Sequence, residues 1–97
     1  MFLEQPERSF QQQVEDAARF LGWRYYHTRR SDGSAKGFPD LVLVRRPWII
    51  FAELKREGRH PTKAQQAWLD ELKACGIETY VWRPSDWPAI ERRLRQP

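Results

Sequence analysis

The sequence predicts an α/β fold, with elements in the order α-β-β-β-α-β-α. Three observations carry that prediction. Two short runs rich in β-branched and aromatic residues, Leu41-Val42-Leu43-Val44 and Trp48-Ile49-Ile50-Phe51-Ala52, flank a break at Arg45-Arg46-Pro47, which reads as a β-hairpin. Ahead of them, Phe10, Val14, Ala17, Ala18 and Leu21 form an apolar stripe at helical spacing. Behind them, a second helical stretch carries Trp68, Leu69, Leu72 and Cys75 on one side and leads into a further strand-like run.

Each element follows from local chemistry. The first helix is expected from about Glu7 to Leu21, opened by Pro6 and stopped by Gly22. Trp23 to Arg29 reads as a strand. Arg30-Ser31-Asp32-Gly33-Ser34-Ala35-Lys36-Gly37 is a polar loop that delivers the chain to Pro39-Asp40. After the hairpin, Glu57-Gly58-Arg59-His60-Pro61 forms the next loop. A helix is expected from about Thr62 to Cys75, ended by Gly76, and then a strand from Ile77 to Arg83. Ser85 is expected to cap a short last helix through about Leu94, with Trp87, Ile90 and Leu94 turned inward. No repeat, low-complexity segment or linker divides the chain, so residues 1–97 read as one domain.

The hairpin carries the chemistry. Charged residues are out of place in apolar strands unless they are paired or coordinated. Glu53 and Lys55 are two positions apart, so they share a strand face. Asp40 stands at the mouth of the preceding strand. An antiparallel hairpin therefore brings two carboxylates and one ammonium to a common point. Two hard oxygen ligands suit Mg²⁺ or Mn²⁺, the Leu54 carbonyl can complete a protein edge, and the lysine suits a phosphate. Taken singly, the same residues have plainer readings: an ion pair on an edge strand, and a turn aspartate after Pro39. The joint pattern selects the site.

Composition sets the bounds. The chain has 97 residues and a net charge of +4, with a pI near 9.6. Its bases crowd the middle: Arg24, Arg29, Arg30, Lys36, Arg45, Arg46, Lys55, Arg56, Arg59 and Lys63, against Asp32, Asp40, Glu53 and Glu57. A basic surface around a small acidic cluster is expected of a metal nuclease, whereas a solvated basic face is the plainer alternative. No apolar run approaches a membrane span, and Met1 to Pro6 does not read as a signal peptide, so a cytoplasmic, intracellular location is expected. The single cysteine, Cys75, cannot form an internal disulfide and is expected to be a small core residue.

Gly37-Phe38-Pro39-Asp40-Leu41, Glu53-Leu54-Lys55, Thr62-x-x-Gln65 and Gly22-Trp23-x-x-Tyr26-His27 together resemble the VRR-NUC domain, a branch of the PD-(D/E)XK nuclease superfamily. Its small stand-alone members are common in phages and bacteria. The resemblance runs from about Glu7 to Leu94. It implies an αβββαβ(α) restriction-endonuclease-like core, with a mixed sheet flanked by helices. It also implies that Gln65, beyond forming a capping box with Thr62, points at the catalytic residues. His27 aligns with a recurrent family histidine and becomes a candidate phosphate contact, with Arg29, Arg30, Lys36, Arg56 and Lys63 as further nucleic-acid contacts. Glu7 and Glu15 are both candidates for a third carboxylate borne on the first helix. Glu7 fits the family text better, and both have a plain reading as solvated helix residues.

The expected activity is a Mg²⁺- or Mn²⁺-dependent DNA endonuclease. Asp40, Glu53, Lys55, Gln65 and Glu7 are its catalytic candidates. Asp40, Glu53, Leu54 and Glu7 are the metal-binding candidates. The resemblance implies a nick or break in duplex or branched DNA, including Holliday-junction DNA. Cutting opposed strands needs paired sites, and five tryptophans are hard to bury in one small core. A homodimer is therefore expected, with Trp48 and Trp87 as its interface candidates. The alternatives are a nucleic-acid-binding module without catalysis and an accessory interaction protein.

Overall fold

Residues 6–29 and 35–97 are described by the computed structural model of the chain. Arg30 and the adjoining residues 31–34 of the polar loop lie outside the described residues. The elements are α1 (Glu7–Phe20), β1 (Arg24–His27), β2 (Leu41–Arg45), β3 (Trp48–Leu54), α2 (Lys63–Ala74), β4 (Glu78–Trp82) and α3 (Trp87–Arg95), with a short 3-10 turn over Pro84–Asp86. Their order is the expected one. The sheet has the order β1-β2-β3-β4. β1 and β2 pair antiparallel, as do β2 and β3, while β3 and β4 pair parallel, so the sheet is mixed. The parallel pair needs a crossover, and α2 supplies it.

Alternation along the strands separates two faces. Leu41 and Leu43 of β2 lie opposite Ala52 and Ile50 of β3. With Leu54 and Trp82 they are buried against Phe10, Val14 and Ala18 of α1 and Ile90 and Leu94 of α3. The other face meets α2. There Phe38 lies between Phe51 of β3 and Trp68 of α2, with edge-to-face ring centroids 5.9 and 5.0 Å apart.

The C-terminal end is tied back to the start of β1. Trp23 Nε1 donates to the Leu94 carbonyl at 3.0 Å. The Arg45 guanidinium lies 4.3 Å from the centre of the Trp23 ring. It also donates to the carbonyls of Leu21 (3.0 Å) and Leu94 (2.9 Å), and to that of Gln96. On the same side, Arg93 of α3 donates to both carboxylate oxygens of Glu78 on β4. This holds the Glu78 carboxyl below the usual glutamate range.

Several expectations need correction. Cys75 is exposed rather than in the core. The helix ends at Ala74, and Cys75 serves as its C-cap just before Gly76 turns at φ +80°, so the inward face of α2 stops at half-buried Leu72. Ser85 is not the cap of the last helix. It lies in the 3-10 turn, where its amide donates to Glu57 Oε1 at 2.6 Å, and Asp86 immediately precedes α3. Asp86 Oδ2 instead accepts from the Arg83 amide at 2.9 Å. β1 and β4 are shorter than expected: the Trp23 and Ile77 amides donate back to the Ala18 and Leu72 carbonyls of the preceding helices, and the Arg83 amide donates to Asp86 Oδ2 rather than to a strand. Trp87 packs against the core, and Trp48 is 41% exposed. The Trp48 indole donates to the Pro97 carbonyl and lies near the Arg93 guanidinium. Among the described residues no helix is long and apolar enough to cross a membrane.

Arg45 binds three carbonyls that α1 and α3 leave unpaired at their ends. Arg45→Ala is expected to cost about 3 kcal/mol of folding stability, read as a lower midpoint in urea. A change below about 0.5 kcal/mol, the range of ordinary surface substitutions, would mark the latch as incidental.

Candidate active site

The register of the hairpin builds the site. The last ladder pair of β2 and β3 on this end is Leu41 opposite Ala52. One position further, the same register sets Asp40 opposite Glu53. On the other side, Thr28 continues the β1 ladder opposite Asp40, and its amide donates to the Asp40 carbonyl at 2.8 Å. Leu41 and Ala52 face the α1 side, so alternation turns Asp40 and Glu53 towards α2. Asp40 is held in place: its Oδ2 accepts from the Leu54 amide at 2.8 Å. The preceding residue is held as well, since Thr28 Oγ1 donates to the Pro39 carbonyl at 2.8 Å. Lys55 shares the face of Glu53, with Nζ 3.6 Å from Glu53 Oε2. Its amide donates to the Trp82 carbonyl at 2.9 Å, extending the β3–β4 pairing by one step.

Glu53 is the electrostatic centre. Its side chain is only 1% exposed. Burial, and then the adjacent Asp40 carboxyl, push its pKa up to about 8. Lys55 opposes the shift, and Glu7 adds a smaller rise. Glu53 Oε1 is buried without a hydrogen-bond partner. A buried acceptor with no donor is costly. Beside a second carboxylate it is the kind of oxygen donor that a hard divalent cation takes, so the residues present fit Mg²⁺ or Mn²⁺. Among the described residues, no three His, Cys, Asp or Glu side chains gather as a metal cluster. Two carboxylates with the rest of the shell from water is an ordinary arrangement for Mg²⁺.

The loop before Asp40 is locked onto α2. Gly37 has φ +85°, and a Cβ there would lie 2.5 Å from the Ala64 carbonyl carbon and 2.7 Å from the Gln65 amide nitrogen. The Trp68 indole donates to the Lys36 carbonyl at 3.1 Å. These two contacts, with Phe38 against Trp68, set the approach of the chain to Asp40. The motif Gly37-Phe38-Pro39-Asp40-Leu41 is visible in the sequence, but Trp68, the partner of its loop, looks there like an ordinary core residue. Thr28 carries no sequence signal of its own. Counting the hairpin register outward from the Arg46–Pro47 turn would have placed Asp40 opposite Glu53.

The remaining candidates divide. Gln65 is half-buried in the first turn of α2. Its Oε1 accepts from the Thr62 amide at 2.8 Å, and Thr62 Oγ1 accepts from the Gln65 amide at 3.2 Å. The capping box is thus formed, and the amide nitrogen of Gln65 is the end left for a ligand. Glu7 is exposed in the first turn of α1, near enough for its charge to act on Glu53. Glu15 is buried and accepts from Gln11 Nε2 at 3.0 Å. His27 pairs with Leu41, so alternation sets it on the α1 side of the sheet, away from Asp40. Arg29, Lys36 and Lys63 are exposed, and Arg56 is half-buried directly after Lys55.

The model of the VRR-NUC domain family matches residues 4–86. The chain belongs to this family. A solved structure described as a VRR-NUC domain protein superposes with a TM-score of 0.76, covering 97% of this chain and 88% of that one. At 19% identity, that likeness speaks for the fold alone. No curated protein matches the chain. Membership of the VRR-NUC family carries a nuclease-type function, with DNA as the substrate class.

Two outcomes follow from this geometry. A glutamate whose folded pKa lies near 8 binds a proton that the unfolded chain, with an ordinary value of 4.5, has lost at neutral pH. Its contribution to stability is fully present below about pH 4.5, fades as pH rises through that interval, and is gone above about pH 8. In EDTA, Glu53→Gln should therefore gain on the native protein as pH rises, melting ~5 °C or more higher at pH 8 than the native chain. A difference in melting temperature that stays constant from pH 5 to 8.5 would contradict the assignment.

The second outcome concerns Gly37. Gly37→Ala should lose about 2 kcal/mol in urea unfolding, through strain at positive φ and the clash with α2. Lys36→Ala, whose bond to Trp68 uses only the main chain, should lose almost nothing. Equal effects of the two would remove the close approach as the reason for glycine.

Proposed function

We propose that the protein is a divalent-metal-dependent DNA endonuclease, with Asp40 and Glu53 as metal ligands and Lys55 and Gln65 as partners of the scissile phosphate. The single observation that carries this reading is the cross-strand pair of carboxylates, with a buried, unpartnered Glu53 Oε1 and Lys55 Nζ 3.6 Å from the same carboxylate. Asp40 offers the oxygen that Leu54 does not occupy, and Glu53 offers Oε1 once its proton leaves. The Leu54 carbonyl is a further candidate ligand, and Glu7 tunes the site through its charge. A bound Mg²⁺ or Mn²⁺ would supply an acidified water and polarise the phosphate. Lys55 neutralises charge that builds on the phosphate oxygens as the bond breaks. Gln65 directs its amide N–H at a water or a phosphate oxygen without altering the charge of the site. Arg29, Lys36 and Lys63, all exposed, would contact the DNA backbone.

The substrate proposed from the family is duplex or branched DNA. One chain carries one such site, so cutting two opposed strands would take two copies, most simply as a homodimer.

The test is cleavage of labelled single-stranded, duplex, flap and four-way DNA with Mg²⁺ or Mn²⁺. Asp40→Ala should abolish cleavage and leave DNA binding measurable. Lys55→Ala should slow it by ~10²-fold or more, and Lys55→Arg should restore it only in part. Undiminished cleavage in EDTA would overturn the metal, and an unchanged rate in Lys55→Ala would make that lysine a surface residue. Binding without turnover under all metals would mark a binding module instead.

A further inference from the structure

The sheet face that carries Asp40 and Glu53 is only partly covered. Below the catalytic row the register stacks two more rows on the same face: Tyr26, Val42 and Phe51, then Arg24, Val44 and Ile49. Phe51 is sheltered by Phe38, which in turn packs on Trp68 of α2. The β1 side of the face stays open: Tyr26 is 62% exposed, Val44 40% and Ile49 39%. Among the described residues the Tyr26 side chain makes neither a hydrogen bond nor a ring contact, and only its main chain is engaged, in the pairing with Val42. A large aromatic ring left exposed on an open sheet, two residues from the row of Asp40 and Glu53, has no role in the core.

We propose that Tyr26 is a stacking platform for an unpaired base next to the scissile phosphate, so that the enzyme selects DNA with a single-stranded segment at the cleavage point. This rests on the nuclease reading of the Asp40–Glu53 site. Tyr26 is two strand residues from the catalytic row, ~6.6 Å along the sheet, about one nucleotide's step from the phosphate to be cut. Aromatic rings on a sheet bind bases by their flat faces, which are available only when the base is unpaired and unstacked. The flanking charge is complementary: Arg24 is exposed on the same face, and exposed Arg29 follows the end of β1. None of the six residues in these two rows is acidic. A second protein copy is the less fitting occupant. A stable interface buries about 800 Å² on each partner, and this patch offers three half-open side chains flanked by an arginine.

The experiment measures binding first, so that it reads even if the chain proves not to cleave. Fluorescence anisotropy with an oligo-dT strand and with a blunt duplex is recorded in EDTA for the native protein, Tyr26→Ala and Tyr26→Phe. The expected result is that Tyr26→Ala weakens oligo-dT binding about tenfold, that Tyr26→Phe restores it, and that duplex binding changes less than twofold. In the metal-supported assay, Tyr26→Ala should lose more activity on a flap than on intact duplex. Equal loss on both DNAs, no loss on either, or failure of Tyr26→Phe to restore binding overturns the platform. So does light scattering in which Tyr26→Ala turns a dimer into a monomer, since the patch would then be an interface between copies. Absence of cleavage with the binding pattern intact would sink the nuclease reading and leave the platform standing.

Discussion

The pairing of β2 with β3 about the Arg46–Pro47 turn is the constraint on which the site depends. It places two carboxylates directly across from each other, where like charges destabilise a sheet. The apolar side of the same strands offsets that cost. Leu41, Leu43, Ile50, Ala52 and Leu54 are all buried against α1 and α3. A slip of one residue would turn that whole set outward and Asp40 and Glu53 apart. The core thus fixes the register, and the register fixes the site.

α2 completes the arrangement from the opposite face. Its first turn is stapled by the Thr62–Gln65 capping box, and the same turn is where Gly37 approaches most closely. Trp68, one helical turn later, holds the Lys36 carbonyl and the Phe38 ring. The loop that delivers Asp40 and the helix that delivers Gln65 are therefore one packed unit. The proposed cation site would gain from this, because no loop needs to be ordered at the moment of binding.

Most of the fold was legible because its signals are periodic. The stripe at Phe10, Val14 and Ala18 and the runs on either side of Pro47 each match one period, and each element formed where expected. The meeting of Asp40, Glu53 and Lys55 at one end of the hairpin was legible for the same reason: Glu53 and Lys55 interrupt an apolar alternation. Features set by tertiary contact were not legible. Cys75 continues the helical stripe in sequence, but the helix stops one residue before it. Ser85 looks like a cap, but its neighbours Pro84 and Asp86 form a 3-10 turn that puts Asp86 there. The openness of the face at Tyr26 depends on where α2 lands, which no local pattern encodes. The metal, the DNA structure cut and the dimer rest on the site reading and the family, and are proposals here.

In the proposed function, Asp40 and Glu53 together form a cation site whose glutamate is protonated until the cation arrives. Calorimetric titration with Mn²⁺ at pH 7, repeated in two buffers of different ionisation enthalpy, tests it most directly. The account predicts that the native protein binds Mn²⁺ with release of a proton, because Glu53, with a pKa of about 8, must give one up. Glu53→Gln should bind far more weakly and release none. Binding by the native protein that is unaffected by Glu53→Gln, or that releases no proton, would contradict the account.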